Sequence, residues 1–268
     1  MHRQTDKQAL NRHIRQSSKP AAVCGRQSLQ DELGPAEAAI SLAPEECSTD
    51  ETEATIFALA LAVEQRDRHT AAHCERLAFI SVALGMALRL SRADLMALYR
   101  GSFLHDVGKV GIPDSILFKP GNLNAEEWVI MRSHAARGEE ICRHMKLLTP
   151  VLPIIRHHHE RWDGGGYPDG LRMDQIPLLA RLVQIADIYD ALTSPRSYKP
   201  AFSPDKALRI IAEETSLGWR DPEIVDLFQQ VHKGIITKIA YHEIGADSSL
   251  TALRNSLTDL RALMAAVA

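Results

Sequence analysis

Residues 91–117 read SRADLMALYRGSFLHDVGKVGIPDSIL. Ser91 and Asp94 form an S-x-x-D box, the pattern that caps the open N–H groups of a helix start. Behind the cap, Leu95, Leu98, Ser102 and His105 fall on one stripe at helical spacing. The stripe predicts a helix with one buried face. It ends on an imidazole where an apolar side chain would continue it. A buried polar ring costs free energy unless it is hydrogen-bonded or bound to a metal.

The same substitution recurs on other segments. His134 follows Met131 by three, His158 and His159 follow Ile154 and Ile155 by four, and Asp187 follows Val183 by four. A single case reads as a hydrogen-bonded core histidine. Five cases on four helices point instead to a metal centre inside a helix bundle. His105 and Asp106 are neighbours, so their side chains leave a helix about 100° apart. Both reach one site if that site is wide, and two metals roughly 3.5–4 Å apart bridged by an aspartate give that width. His73 lies on the helix before, with His69 one turn ahead of it at a spacing suited to ligation. His69 taken alone also fits an exposed helix-start residue. Imidazole and carboxylate without thiolate suit Mn, Fe or Zn better than Cu(I) or an iron–sulfur cluster. Cys74, beside His73, reads as packing.

The rest of the chain is helical in pattern. One helix is expected over about 52–66. A second after Thr70 carries Leu77, Ile80, Leu84 and Leu88. Asn124 with Glu127 opens another, with Trp128, Met131, His134, Ala135 and Gly138 on one side. A helix over about 178–193 aligns Val183, Asp187 and Asp190, and the pairs Ser203-Pro204 and Asp221-Pro222 open two more. No strand series competes, so the expected fold is all-α. Residues 1–50 lack a period and read as a linker or disordered segment, 51–240 as one domain, and 241–268 as an amphipathic helix. In that last segment Leu250, Leu253, Leu257, Leu260 and Met264 form a seam of about two heptads, short of a coiled coil. The seam packs back on the domain or makes a homodimer contact.

Composition narrows the function. The chain has 268 residues, 45% apolar and 24% charged, with a net charge of -3. No global basic field points to a nucleic-acid polymer or an anionic membrane. The apolar run at 54–63 is too short to span a bilayer. No secretory leader pattern opens the chain. The four cysteines form no C-x-x-C pair, which suits free thiols in a cytoplasmic protein.

Three segments, HDVGKVGIPDSILFKPG at 105–121, HHERWDGGGYPDG at 158–170 and ADIYDALTSPRSYK at 186–199, together resemble the HD-GYP family of metal-dependent phosphohydrolases. The resemblance runs from about 52 to 235. It implies an HD-domain helical bundle with a GYP loop and extra C-terminal helices. It also implies two or three divalent metals, commonly iron or manganese, and hydrolysis of cyclic di-GMP to pGpG and on to GMP. The implied ligands are His73, His105, Asp106, His134, His158, His159 and Asp187, with Asp106 bridging and His157 spare. Members with three metals carry a glutamate where this chain has His69, which makes His69 a candidate extra ligand.

Within that frame Lys109, one turn from His105, would neutralise the transferring phosphate or protonate the leaving 3′ oxygen. Arg196 and Lys199 would bind the other phosphate. Gly164, Gly165 and Gly166 allow tight turns, Tyr167 offers a ring face to guanine or a hydroxyl to phosphate, and Pro168 stiffens the loop. Asp163 is expected to brace this loop, and Glu160 to orient an imidazole. The alternatives are hydrolysis of another cyclic dinucleotide such as cyclic GMP-AMP, or a non-catalytic cyclic di-GMP receptor acting through partner proteins.

Overall fold

In the computed structural model, the described residues are 49–66, 73–195 and 200–241. All of them fall in the unit Cys47–Ala268. Ten α-helices follow in order among them: α1 (Thr49–Arg66), α2 (His73–Ala87), α3 (Arg92–Leu104), α4 (Asp114–Leu117), α5 (Ala125–Arg132), α6 (His134–Cys142), α7 (Leu152–His157), α8 (Leu178–Thr193), α9 (Pro204–Ser216) and α10 (Pro222–Tyr241). Short 3₁₀ turns at Val107–Gly111, Lys146–Val151 and Met173–Gln175 join some of them. No strand occurs among the described residues, as the sequence pattern predicts.

α2 is the central rod, packed against α3, α8 and α10. Leu77, Ala78, Ile80 and Leu84 are fully enclosed there. Leu88 departs from the expected stripe. α2 stops at Ala87, Arg89 turns left-handed at φ 57°, and Leu88 is left 38% exposed. α1 covers the far side of α3 by setting Phe57 edge-on to Tyr99 and Phe103, with centroids 5.3 and 4.7 Å away.

The expected caps form. Ser91 Oγ accepts from Asp94 N, and Asn124 and Glu127 exchange both bonds of a capping box at 2.8 Å each. Ser203 Oγ accepts from Lys206 N and Asp221 Oδ1 from Glu223 N. One helix of the sequence pattern becomes two. The segment behind Asn124 breaks at Ser133, where Ser133 Oγ donates to Ile130 O at 2.6 Å. The break separates the residues expected on one side. His134, Ala135 and Gly138 are buried on α6, while Trp128 on α5 is 44% exposed. α7 likewise ends sooner than expected, so His158 caps it and His159 lies in the following turn.

His69, Arg196, Lys199, the 1–48 segment and the seam beyond Tyr241 lie outside the described residues. Among the described residues, no helix is long and apolar enough to cross a membrane.

Candidate metal centre

Helix ends deliver the imidazoles. His105 caps the C-terminus of α3 and His158 that of α7, while His134 opens α6 just after α5 ends. The last carbonyls of a helix lack intrahelical partners. Each of these rings uses one: Nδ1 of His105, His134 and His158 donates to the carbonyl three residues back, on Ser102, Met131 and Ile155, at 2.8 Å in every case. A carbonyl only accepts, so Nδ1 carries the proton and Nε2 of the neutral ring keeps a lone pair. His73 is set by a different partner. Its Nδ1 lies 2.7 Å from Asp190 Oδ2, which turns Nε2 toward Asp187 Oδ1 at 3.5 Å.

Asp106 stands among these rings. Its Oδ2 is 3.2 Å from His105 Nε2 and 2.8 Å from Lys109 Nζ. Its Oδ1 is 3.3 Å from His134 Nε2 and 3.8 Å from His158 Nε2. Two donor groups result, each with ligand atoms within 4.8 Å of one another: Asp106, His134, His158 and His159, and His73, His105 and Asp187. The one carboxylate faces both.

The donor set fits a cation on its own terms. His134 Nε2 and His158 Nε2 approach to 3.5 Å. In neutral rings both present lone pairs, which repel unless a positive species lies between them. His105 Nε2 and Asp106 Oδ1 are enclosed without a hydrogen bond. Burial pushes the His134 pKa down to about 4 and that of His159 well down too, which keeps both in the ligand form. Burial also opposes protonation of His105, but Asp106 and Asp187 outweigh it and raise its pKa to about 9. Those carboxylates favour any cation placed there. Burial would raise the Asp106 pKa, yet Lys109 and His105 hold it well below the usual range, so the carboxylate is ionised.

A second layer, built on Asp190 and Arg76, has no role assigned to it by the sequence. Asp190 accepts from Arg76 Nε at 2.6 Å and Nη2 at 3.0 Å as well as from His73, and Arg76 Nη2 also reaches Ser194 Oγ at 2.9 Å. The sequence pattern aligns Asp190 with Asp187 on α8 without assigning it a role. Its position one turn on, on a buried stripe, is the available signal.

The loop after α7 folds against the cluster. Glu160 is fully buried, and its Oε1 accepts from the N–H of Asp169 and Gly170 at 2.7 and 3.0 Å, its Oε2 from Leu171 at 3.1 Å. Glu160 therefore latches the loop. It does not orient a metal-facing imidazole, because its oxygens are turned to the loop backbone. Of the imidazoles, His157 Nδ1 lies 3.8 Å from Oε1. His157, Glu160 and Asp169 also lie close together, but Arg156 already grips Asp169 through two bonds of 2.7 and 2.8 Å. Asp163 braces the loop as expected, accepting from Gly165 N at 2.8 Å.

Gly166 has no room for a side chain. A Cβ there would meet Arg161 N at 2.2 Å and Glu160 Cα at 2.4 Å. The close approach sets Tyr167, joined to Pro168 by a cis peptide, over His159 with ring centroids 4.8 Å apart. Burial and the nearby Asp106 push the Tyr167 hydroxyl pKa up, so the hydroxyl stays protonated.

The HD domain family model matches residues 58–224. The chain belongs to the HD-domain family. With the HHERWDGGGYPDG loop it falls in the HD-GYP branch. Membership implies divalent metal binding, and the two His/Asp groups are where the structure offers it. A cyclic di-GMP phosphodiesterase of Vibrio cholerae is 40% identical over 209 residues, covering 72% of this chain and 42% of that protein. A 3'3'-cGAMP-specific phosphodiesterase of the same organism is 41% identical over 174 residues, covering 64% and 33%. A cyclic di-GMP phosphodiesterase of Thermotoga maritima is 38% identical over 190 residues, covering 69% and 50%. The HD-domain chain thus spans half or less of the length of these relatives. Among solved structures, a cyclic GMP-AMP specific phosphodiesterase from V. cholerae shares the fold at a TM-score of 0.54 and 21% identity, over 67% of this chain and 48% of that one. An HD-GYP-like protein from Bdellovibrio bacteriovorus does so at 0.52 and 20%, over 69% and 64%.

Proposed function

We propose that this protein is a metal-dependent phosphodiesterase that hydrolyses cyclic di-GMP to pGpG and on to GMP. The observation that carries the reading is Asp106, a single ionised carboxylate facing two groups of imidazoles whose Nε2 atoms turn inward. The donor types suit two iron or manganese ions. His73, His105 and Asp187 would hold one, His134, His158 and His159 the other, and Asp106 would bridge. His69 would serve a third. Such ions supply a hydroxide nucleophile and neutralise phosphoryl charge.

The chain supplies the rest. Lys109, beside Asp106, places a positive charge where the transferring phosphate would sit and can pass a proton to the leaving 3′ oxygen. The protonated Tyr167 hydroxyl donates to a phosphoryl oxygen. Gly166 and Pro168 hold Tyr167 at the cluster. Arg196 and Lys199 take the second phosphate. The buried free thiol of Cys142 supports a reducing, cytoplasmic setting. Cyclic GMP-AMP is the second substrate reading, favoured by the 41% identical relative named for it. The leucine seam of 250–264 would serve homodimer or signalling-partner contacts.

The test is to load the protein with Mn(II) or anaerobic Fe(II), add cyclic di-GMP or cyclic GMP-AMP, and chromatograph the products. Turnover, to pGpG or GMP from cyclic di-GMP and to a linear mixed dinucleotide from cyclic GMP-AMP, should vanish in His105→Ala and Asp106→Ala. Binding without turnover under every metal would leave the non-catalytic receptor instead. Fewer than one metal per chain after loading would remove the cluster from the reading.

A further inference from the structure

Trp128 and Arg132 lie four residues apart on α5 and so share a face of that helix. α5 has no buried residue, and the Trp128 indole is 44% exposed. The Arg132 guanidinium lies 5.5 Å from the indole centroid and 5.3 Å from the Tyr167 ring. Tyr167 in turn lies 4.8 Å from His159 at a tilt of 31°. Planar groups therefore run from an imidazole of the metal cluster to the surface in the order His159, Tyr167, Arg132, Trp128.

Backbone geometry ties the outer members to the inner ones. α5 ends at Arg132, and His134 Nδ1 bonds back to Met131 O at 2.8 Å. The residues that carry the guanidinium and a metal-facing imidazole are thus two positions apart across a fixed turn. Arg132 meets two rings and, among the described residues, no carboxylate. A guanidinium held this way offers its edge to the acceptors of a base or phosphate. Tyr167 already packs its ring on His159 and meets Arg132, which leaves Trp128 as the open aromatic face.

We infer that Trp128 and Arg132 form a shelf for one purine of the dinucleotide, Trp128 stacking on the base and Arg132 meeting its acceptor edge. The inference rests on the phosphodiesterase reading and extends it to base recognition. Every base has a π-face, and an exposed aromatic beside a phosphate site is how proteins commonly hold one. Guanine O6 and N7 match the two-pronged edge of an arginine.

The experiment compares wild type, Trp128→Ala, Trp128→Phe and Arg132→Ala, all metal-loaded. With cyclic di-GMP, Trp128→Ala should raise KM by roughly tenfold while kcat changes far less, and Trp128→Phe should restore most of the loss. Arg132→Ala should raise KM in the same direction. Added pGpG should quench tryptophan fluorescence in wild type and much less in Trp128→Phe, where Trp162 and Trp219 remain. A wild-type KM in Trp128→Ala, with full quenching in Trp128→Phe, overturns the shelf and leaves the phosphodiesterase standing. A wild-type protein that neither turns over nor binds any cyclic dinucleotide removes both.

Discussion

Gly108→Ala tests the way the site is assembled. A Cβ on Gly108 would lie 1.9 Å from His134 O, 2.5 Å from Gly138 N and 2.8 Å from His134 C. All three atoms are backbone of α6, so no change of rotamer relieves the clash. Reaching an ordinary contact requires the Val107–Gly111 turn and the start of α6 to part by roughly 1.5 Å. Asp106 leads into that turn and His134 opens α6, so their 3.3 Å approach opens by a similar amount. Overpacking of this kind costs about 1–3 kcal/mol, and a backbone clash belongs at the upper end. A misplacement of ~1 Å among reacting groups is worth about 100-fold in rate. The assay pairs urea unfolding with turnover of cyclic di-GMP under Mn(II). Gly234→Ala is the control, since a Cβ there meets nothing within 4 Å on α10. It should gain roughly 0.5–1 kcal/mol through helix propensity. If Gly108→Ala keeps the wild-type urea midpoint and turns over within about threefold of wild type, far short of the loss expected from such a misplacement, the close approach does not set the site.

Two substitutions probe the supporting layers. Asp190→Asn removes the charge that holds His73 and Arg76, and should weaken metal retention by about 10–100-fold in competition with a chelator. Burial opposes ionisation of Asp190, but the bonds from His73 and Arg76 hold its pKa at about 2, below the ordinary 3.8. Stability from this carboxylate is therefore complete above about pH 4 and lost as pH falls toward 2, a change of about 2 kcal/mol. Acid titration of the metal-free proteins should show that loss in wild type and not in Asp190→Asn; superimposable acid limbs would count against it. Glu160→Gln sets an amide against the Leu171 N–H that Oε2 now accepts, or leaves the other two N–H groups in that position if it flips. It should cost about 1–3 kcal/mol and speed hydrogen exchange at 169–171, whereas unchanged protection there would show that the latch does not hold the loop.

Most of the candidate metal ligands are legible in the sequence because they interrupt a periodic stripe. His105, His134, His158 and Asp187 stand where an apolar side chain belongs, and that pattern is local. The residues that escape such a reading depend on partners far away in sequence. Arg76 meets Asp190 across 114 positions, and no spacing rule links them. Glu160 looks like a partner for an imidazole when side chains alone are weighed, whereas its partners are backbone N–H groups that every residue but proline possesses. Trp128 shares a stripe with His134 only if one unbroken helix carries both. The break at Ser133 rotates α5 relative to α6, and a break of that kind leaves no trace in hydrophobic spacing.

The helix ends explain more than ring orientation. The C-termini of α3 and α7 both run up to the cluster, and the end of α5 supplies the carbonyl that holds His134. A helix C-terminus carries a partial negative charge that favours a cation within its last turn. Asp106 and Asp187 add full charges, and Lys109 is paired with Asp106. In the bare protein His105, whose pKa is raised to about 9, and Lys109 balance the two carboxylates, so cyclic di-GMP, a phosphate diester on both sides, meets no net positive charge there. Cyclic di-GMP should bind the metal-free protein far more weakly than the loaded one, with the gap narrowing at high salt as the attraction of the bound metals is screened. Calorimetric titration with and without Mn(II) at two ionic strengths measures this. Equal affinity with and without metal would mean that Trp128, Arg132 and the loop carry the binding by themselves, and that the cluster acts on the bound diester without helping to hold it.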